Sequence, residues 1–276
     1  MHENGKATFM QDDAYVQQAI PKLLTLFQDE YRRPLRKPYY LRQLQVLLEN
    51  DYFPWVISNA LVQLVDQGIL HKVRYVSKAH RKLVFFFNGK LSTPDHERAM
   101  MTHIKSIGAL IDTYANPTTS RILGKHLEAL VKQELRAQGF EVVETEANSY
   151  KGRRWTKTNH DLDFIAEHES GNLNIGIEVK NTLSVIEREE LDVKLEMCKY
   201  LRLRPVFAAR WIKPYLNHIA KDYDGFSWVF KTQIFPLGQE DLVKGIYNRL
   251  NLPVTVRTDL PPKPVSIFKK WVQRNT

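Results

Sequence analysis

Leu162-Asp163-Phe164-Ile165-Ala166, then a polar turn from Glu167 to Asn172, then Leu173-Asn174-Ile175-Gly176-Ile177-Glu178-Val179-Lys180: the reading of this stretch decides the fold. Two short apolar-rich runs separated by Ser-Gly-Asn predict the two strands of an antiparallel hairpin. Side chains alternate along a strand, so Ile175, Ile177 and Val179 share one face while Gly176, Glu178 and Lys180 share the other. Leu162, Phe164 and Ala166 are expected to face the core, with Asp163 pointing away from them. A loop centred on Ser170-Gly171 sets Asp163 opposite Glu178, and one centred on Gly171-Asn172 sets it opposite Lys180. Either register brings the three polar side chains out on one face.

Two carboxylates gathered that closely repel each other unless a hard divalent cation lies between them. Mg²⁺ is the expected occupant, with Mn²⁺ as a substitute. Such an ion polarises a phosphodiester oxygen and lowers the pKa of a bound water. Lys180 is then placed to orient or help activate that water, or to neutralise the transition state. Asp161 shares a strand face with Asp163 and is the second choice should the register slip by two residues.

Outward from the hairpin, Gly124-Lys125-His126-Leu127-Glu128 opens a predicted helix that continues to Gln138 and stops at Gly139-Phe140. A strand-like Glu141-Val142-Val143 follows. Leu123, Leu127, Val131 and Leu135 form the helix's buried stripe, with Glu128 at its edge and Glu134 nearer its middle. Downstream, a helix is predicted over Ile186 to Leu201, with Leu191, Leu195, Cys198 and Leu201 on or near one face; Lys194 and Lys199 are placed to reach DNA, although exposed helix lysines are usually just solvated. Then come a buried strand from Pro205 to Trp211, a helix from Pro214 to Lys221, a strand from Phe226 to Phe235 and a helix from Gln239 to Leu250. Pro261-Pro262-Lys263-Pro264 is expected to be extended before a short basic helix.

The succession of a glutamate-bearing helix, a Gly-Phe strand, an Asp hairpin and Glu-x-Lys resembles the PD-(D/E)XK, or restriction-endonuclease-like, nuclease superfamily, and archaeal Holliday-junction resolvases have a similar layout. Leu162 stands where the superfamily's name has proline, a position that varies among members. The resemblance implies an α/β fold with a mixed β-sheet core flanked by helices, and a Mg²⁺-dependent endonuclease acting on DNA. It implies catalytic Glu128, Asp163, Glu178 and Lys180, with Asp163, Glu178 and Glu128 as metal ligands. Glu128 is preferred to Glu134 by that resemblance alone.

The first ninety or so residues point to a different unit. Apolar residues recur at helical spacing over Ala14 to Phe27, with Pro21 set to delay the start. Further helices are predicted over Tyr39 to Glu49 and Trp55 to Gln67, with Gly68 as the stop, followed by strands at Ile69 to Val76 and Lys82 to Asn88. Three helices and a hairpin resemble a winged helix, which implies DNA binding: Ser58, Asn59 and Gln63 would show to base edges, and Lys72, Arg74, Lys78, Arg81, Lys82 and Lys90 would meet the phosphate backbone. Arg153 and Arg154, with Lys151 and Lys157 around Trp155 in an irregular segment, are further candidates for backbone contact. Thr93 caps another helix running to about Tyr114, and Ala115-Asn116-Pro117 breaks the chain. The expected organisation is residues 1–92 as a winged-helix-like domain, 93–116 as a connecting helix and 117–276 as the nuclease-like domain.

A net charge of +9 favours a polyanionic partner. The single cysteine, Cys198, cannot form an internal disulfide, and no run of apolar residues reaches bilayer length. Together these predict a cytoplasmic protein, nucleoid-associated when bound to DNA, with no membrane partner and no small-molecule organic cofactor. Cutting two strands with one site per chain implies a homodimer. The competing expectation is a non-catalytic DNA-binding regulator whose nuclease-like half serves dimerisation.

Overall fold

The computed structural model describes residues 3–29, 38–89, 93–212 and 215–276 and, for residues 3–13, 29, 216 and 217, the backbone alone. The chain divides into two compact units, Met1–Asn116 with Lys244–Leu252, and Pro117–Val243 with Pro253–Thr276. Residues 93–116 therefore count with the first unit, and a later segment returns to it. Among the described residues no helix is long and apolar enough to cross a membrane.

The first unit carries α1 (Glu3–Asp29), β1 (Tyr39–Tyr40), α2 (Leu41–Leu47), α3 (Pro54–Asp66), β2 (Leu70–Val76), β3 (Lys82–Asn88) and α4 (Pro94–Tyr114). Pro21 does not delay α1, which passes straight through it. An interior proline costs about 3 kcal/mol. Val16, Ala19, Leu23 and Phe27 are buried on both sides of Pro21, and each large side chain so buried returns about 1.5–3 kcal/mol. Tyr15, at 44% exposure, lies off that stripe. Tyr39 and Tyr40 pair with Phe86 and Phe85 as a short third strand, so α2 begins later than its apolar spacing suggests. The sheet order is β1-β3-β2. Gly68 ends the α3 turn in the left-handed region at φ 70°. Thr93 Oγ1 accepts from the His96 amide and caps α4. A Cβ on Gly108 would stand 2.5 Å from Cε1 of Tyr75, so glycine at that position gives the Tyr75 ring its place against α4.

The second unit begins with α5 (Pro117–Ala137), followed by β4 (Phe140–Ala147), β5 (Ser149–Tyr150), β6 (Arg153–Arg154), β7 (Leu162–His168), β8 (Asn174–Lys180), α6 (Arg188–Leu201), β9 (Arg204–Ala209), α7 (Leu216–Tyr223), β10 (Phe226–Val229) and β11 (Gln233–Phe235). Next come α8 (Glu240–Leu250), which spans the boundary of the two units, β12 (Val254–Val256) and α9 (Pro262–Asn275). The central sheet has the order β10-β9-β8-β7-β4. It is antiparallel from β4 through β7 to β8 and parallel from β8 through β9 to β10. The fold is thus α/β with a mixed sheet.

Both faces of that sheet are covered. Leu127, Val131 and Leu135 of α5 and Phe268 of α9 pack against Phe164, Ile177, Val206 and Trp228 on one side. Met197, Cys198 and Leu201 of α6 cover Ile165 on the other, and Leu191 and Leu195 cover Phe207. Leu162, expected with Phe164 and Ala166, joins the α6-side cluster beside Trp155 and Cys198 instead.

Several boundaries differ from their sequence signals. Pro117 starts α5 seven residues before Gly124, because a proline at the first turn needs no partner for its missing N–H. The segment around Trp155 is a small hairpin, β5–β6, turning at Lys151 and Gly152, both at positive φ. The predicted strand from Phe226 to Phe235 is two strands in different sheets, separated by Lys231 at φ 66°. Pro262 opens α9 directly, so the proline-rich tail is the helix's first turn. Of the predicted helix from Pro214, the part from Tyr215 is described, with the helix itself starting at Leu216; Pro214 and Lys90 lie outside the described residues.

Candidate functional site

The hairpin register is Phe164↔Ile177 and Ile165↔Gly176. Carried one residue further, it sets Asp163 opposite Glu178, the outcome of a loop centred on Ser170-Gly171. Asp163 Oδ2 accepts the Val179 amide at 2.6 Å. Glu178 is 3% exposed, a burial that alternation alone does not reveal, since it follows from α6 covering the polar face. A carboxylate taken from water in this way needs close counter-charge. Two ammoniums supply it: Lys180 Nζ lies 2.8 Å from Glu178 Oε1, and Lys194 Nζ 2.7 Å from Oε2. Lys180 also reaches Glu190 Oε1 at 2.7 Å.

The meeting of α6 with β8 has a simple geometric cause. Two residues of strand rise about 6.6 Å and four residues of helix about 6.0 Å. With α6 running back along β8, Cys198 lies over Gly176, Lys194 over Glu178 and Glu190 over Lys180. A Cβ at Gly176 would come within 2.8 Å of both Cys198 Sγ and Leu162 Cδ1. Glycine at that position is what lets α6 settle low enough for Lys194 to touch Glu178.

The charges shift one another's proton affinities. Burial, then the Glu178 charge, push the Asp163 carboxyl up to about 6, against the pull of the Val179 N–H and the Lys194 and Lys180 ammoniums. Burial works against the Lys180 ammonium, but Glu178 and Glu190 outweigh it and hold that lysine charged, above its ordinary range. By formal charge, three carboxylates and two ammoniums leave the cluster one negative charge in excess.

Asp163, Glu178 and Lys180 are brought together; Glu128 is not gathered with them. Its Oε2 pairs with Lys125 Nζ at 3.0 Å. Lys125 is held above its usual range first by Glu128, with smaller contributions from Glu146 and Asp163, so the middle of α5 lies within the electrostatic reach of Asp163. The rival Glu134, nearly two turns further along α5, accepts from Gln138 at 2.7 Å. Among the described residues no group of three His, Cys, Asp or Glu side chains stands ready to hold a metal ion. Asp161 is exposed, and it is its backbone carbonyl, not its carboxylate, that meets Lys194.

Lys194, Glu190, Lys125 and Glu146 were not assigned to the site from the sequence. Lys194 corrects the expectation of a solvated helix lysine: its side chain is 8% exposed, and its ammonium donates to the Asp161 carbonyl as well as pairing with Glu178. Its signal was available, since residue 194 lies within the Leu191-Leu195-Cys198 stripe at helical spacing. Behind the site, Asn181 is buried and donates to the carbonyls of Leu123 and Ile234 while accepting from the Ile234 amide. Arg210, also buried, donates to the carbonyls of Thr182 and Leu183 and fixes the loop that leaves β8.

The nucleic-acid candidates divide similarly. In the first unit Lys72, Arg74, Lys78 and Lys82 are exposed on the β2–β3 hairpin. Arg81 is not free with them: it pairs with Asp112 and donates to the Ala115 carbonyl. On α3 only Asn59 of the three predicted base-edge residues is exposed. Ser58 is engaged by Pro54 O and the Gln45 amide, and Gln63 accepts from Gln17. The outward face of α3 carries Trp55, Asn59, Val62 and Asp66, with no cation. In the second unit Arg154 is exposed, while Arg153 is half-buried and donates to the Tyr200 carbonyl. Trp155 is buried and donates to Thr158, so it belongs to the packing of the β5–β6 hairpin.

Comparison with family models, with curated proteins and with solved structures finds no match.

Proposed function

We propose that this chain is a divalent-metal-dependent endonuclease acting on DNA, with its reaction centre at Asp163, Glu178 and Lys180. The observation that carries this reading is the pairing of Asp163 with Glu178 on adjacent strands, beside an ammonium held charged. The order α5-β4-β7-β8-α6-β9 around a mixed sheet supports it, because the PD-(D/E)XK resemblance implies the same succession of elements. The donor chemistry fits a hard cation: the facing groups are carboxylate oxygens, the Asp163 proton affinity is raised partly by the Glu178 charge, and the cluster carries surplus negative charge. Asp163 and Glu178 would hold Mg²⁺ or Mn²⁺; Glu128, which pairs with Lys125 at 3.0 Å, is the third ligand that the resemblance implies. When bound, the ion supplies Lewis-acid polarisation of a phosphodiester oxygen and a more acidic water.

The chain's own residues then have separable parts. Lys180, kept protonated by Glu178 and Glu190, contributes positive charge where the transition state gains negative charge, rather than accepting a proton. The Val179 amide fixes one Asp163 oxygen, leaving the other to face the reacting group. In the first unit, Lys72, Arg74, Lys78 and Lys82 supply backbone neutralisation, and two chains acting together would serve the two strands of a duplex.

A second reading, a DNA-binding regulator without catalysis, is favoured by one observation: each Glu178 oxygen already has a lysine ammonium at ion-pair distance, although Oε2 receives no hydrogen bond. Supercoiled plasmid incubated with the protein in Mg²⁺, in EDTA, and with Lys180→Ala separates the two. The nuclease reading expects nicking in Mg²⁺ that disappears in EDTA and falls at least about 100-fold in the variant, the usual scale for losing one electrostatic group. Binding without cleavage under every condition favours the regulator.

A further inference from the structure

Lys194 is the ammonium in the cluster for which the Asp, Glu-x-Lys pattern provides no place. It comes from a different element, α6, and its side chain is more deeply buried than that of Lys180, at 8% against 30% exposure. Its ammonium spans the Glu178 carboxylate and the Asp161 carbonyl, two oxygens that flank the Asp163 strand position. It thus sits among oxygens as a cation would, at the carboxylate oxygen that Lys180 leaves free.

We propose that Lys194 is a built-in counter-cation for Glu178: it neutralises the buried carboxylate when no metal is present and competes with a divalent ion for the same oxygen, so that it sets the metal affinity of the site. The proposal rests on the metal-dependent reading above. A buried carboxylate without compensation is costly, so a permanent ammonium keeps the empty arrangement folded. The same ammonium weakens metal binding, because the ion must either displace it or share Glu178 with it. Lys194 is therefore a positioning residue for Glu178, and its removal should stabilise the metal-bound state relative to the metal-free one.

The test is Mn²⁺ titration calorimetry on the full chain, with thermal melts in EDTA and in saturating Mn²⁺, comparing the wild type with Lys194→Met, Lys194→Gln and Lys194→Arg. Gln keeps a donor for the Asp161 carbonyl without the charge and serves should Met fail to fold. An opposite charge at this range moves a carboxylate's affinity for a cation by about tenfold or more. Lys194→Met and Lys194→Gln should thus bind Mn²⁺ about tenfold more tightly, melt lower in EDTA and gain a larger Mn²⁺-induced rise in Tm. Lys194→Arg should restore wild-type affinity. A lower Tm with unchanged Mn²⁺ affinity, or weaker binding, overturns the proposal and leaves the metal reading standing. Absence of Mn²⁺ binding to the wild type and every variant overturns both.

Discussion

Replacing Asp163 by Asn tests the electrostatics of the site without any substrate. The Asn side chain keeps an oxygen for the Val179 amide but carries no charge. The carboxyl's rise from 3.8 to about 6 corresponds to about 3 kcal/mol at roughly 1.4 kcal/mol per tenfold change in proton affinity. Asp163 keeps some contact with solvent, and screening brings the expected effect down to about 1–2 kcal/mol. The sign follows from linkage: a carboxyl that holds its proton more tightly when folded destabilises the fold once it ionises. The wild type therefore loses this stability as pH rises from about 4 through about 6, and has lost all of it above that window. In EDTA, Asp163→Asn should melt about 2–8 °C higher than the wild type near pH 7.5, taking about 2–4 °C per kcal/mol for a chain of this size. Near pH 4 the two should melt together. A variant no more stable than the wild type near pH 7.5, or equally stabilised at both pH values, refutes the reasoning.

Two further outcomes test the framework of the site and the first unit. Asn181→Ala removes hydrogen bonds to Leu123 and Ile234 that tie the end of β8 to α5 and β11. It should cost about 2–4 kcal/mol in urea unfolding, since buried partners are left unpaired, and a loss below about 1 kcal/mol contradicts the assigned role. Lys72→Ala with Arg74→Ala should flatten the dependence of log K on log salt for duplex DNA by about 1.8, at about 0.9 per phosphate contact. An unchanged slope removes the hairpin from the DNA surface.

The hairpin was legible because strand alternation and a Ser-Gly-Asn turn leave few choices, and the observed register is one of the two that the sequence allowed. The stripe of α5 and the Thr93 cap were legible for the same reason: their signals are local. What failed depended on contacts made elsewhere. Helix α1 runs through Pro21 because Leu23 and Phe27 are buried beyond it, and Leu162 changes sides because Trp155 and Cys198 receive it. Lys194 looked solvated because a helix wheel does not show what lies opposite; only the match of α6 to β8 turns it toward Glu178. Ser58, Gln63 and Arg81 were assigned to DNA by residue type, and their internal partners Gln45, Gln17 and Asp112 are distant in sequence.

The most direct measurement is anomalous diffraction from crystals of the full chain soaked in Mn²⁺. A peak between the carboxylates of Asp163 and Glu178, absent in crystals of Asp163→Asn, is the predicted result. Mn²⁺ bound elsewhere, or a map without a peak beside Glu178 from crystals that diffract well at saturating Mn²⁺, contradicts the account.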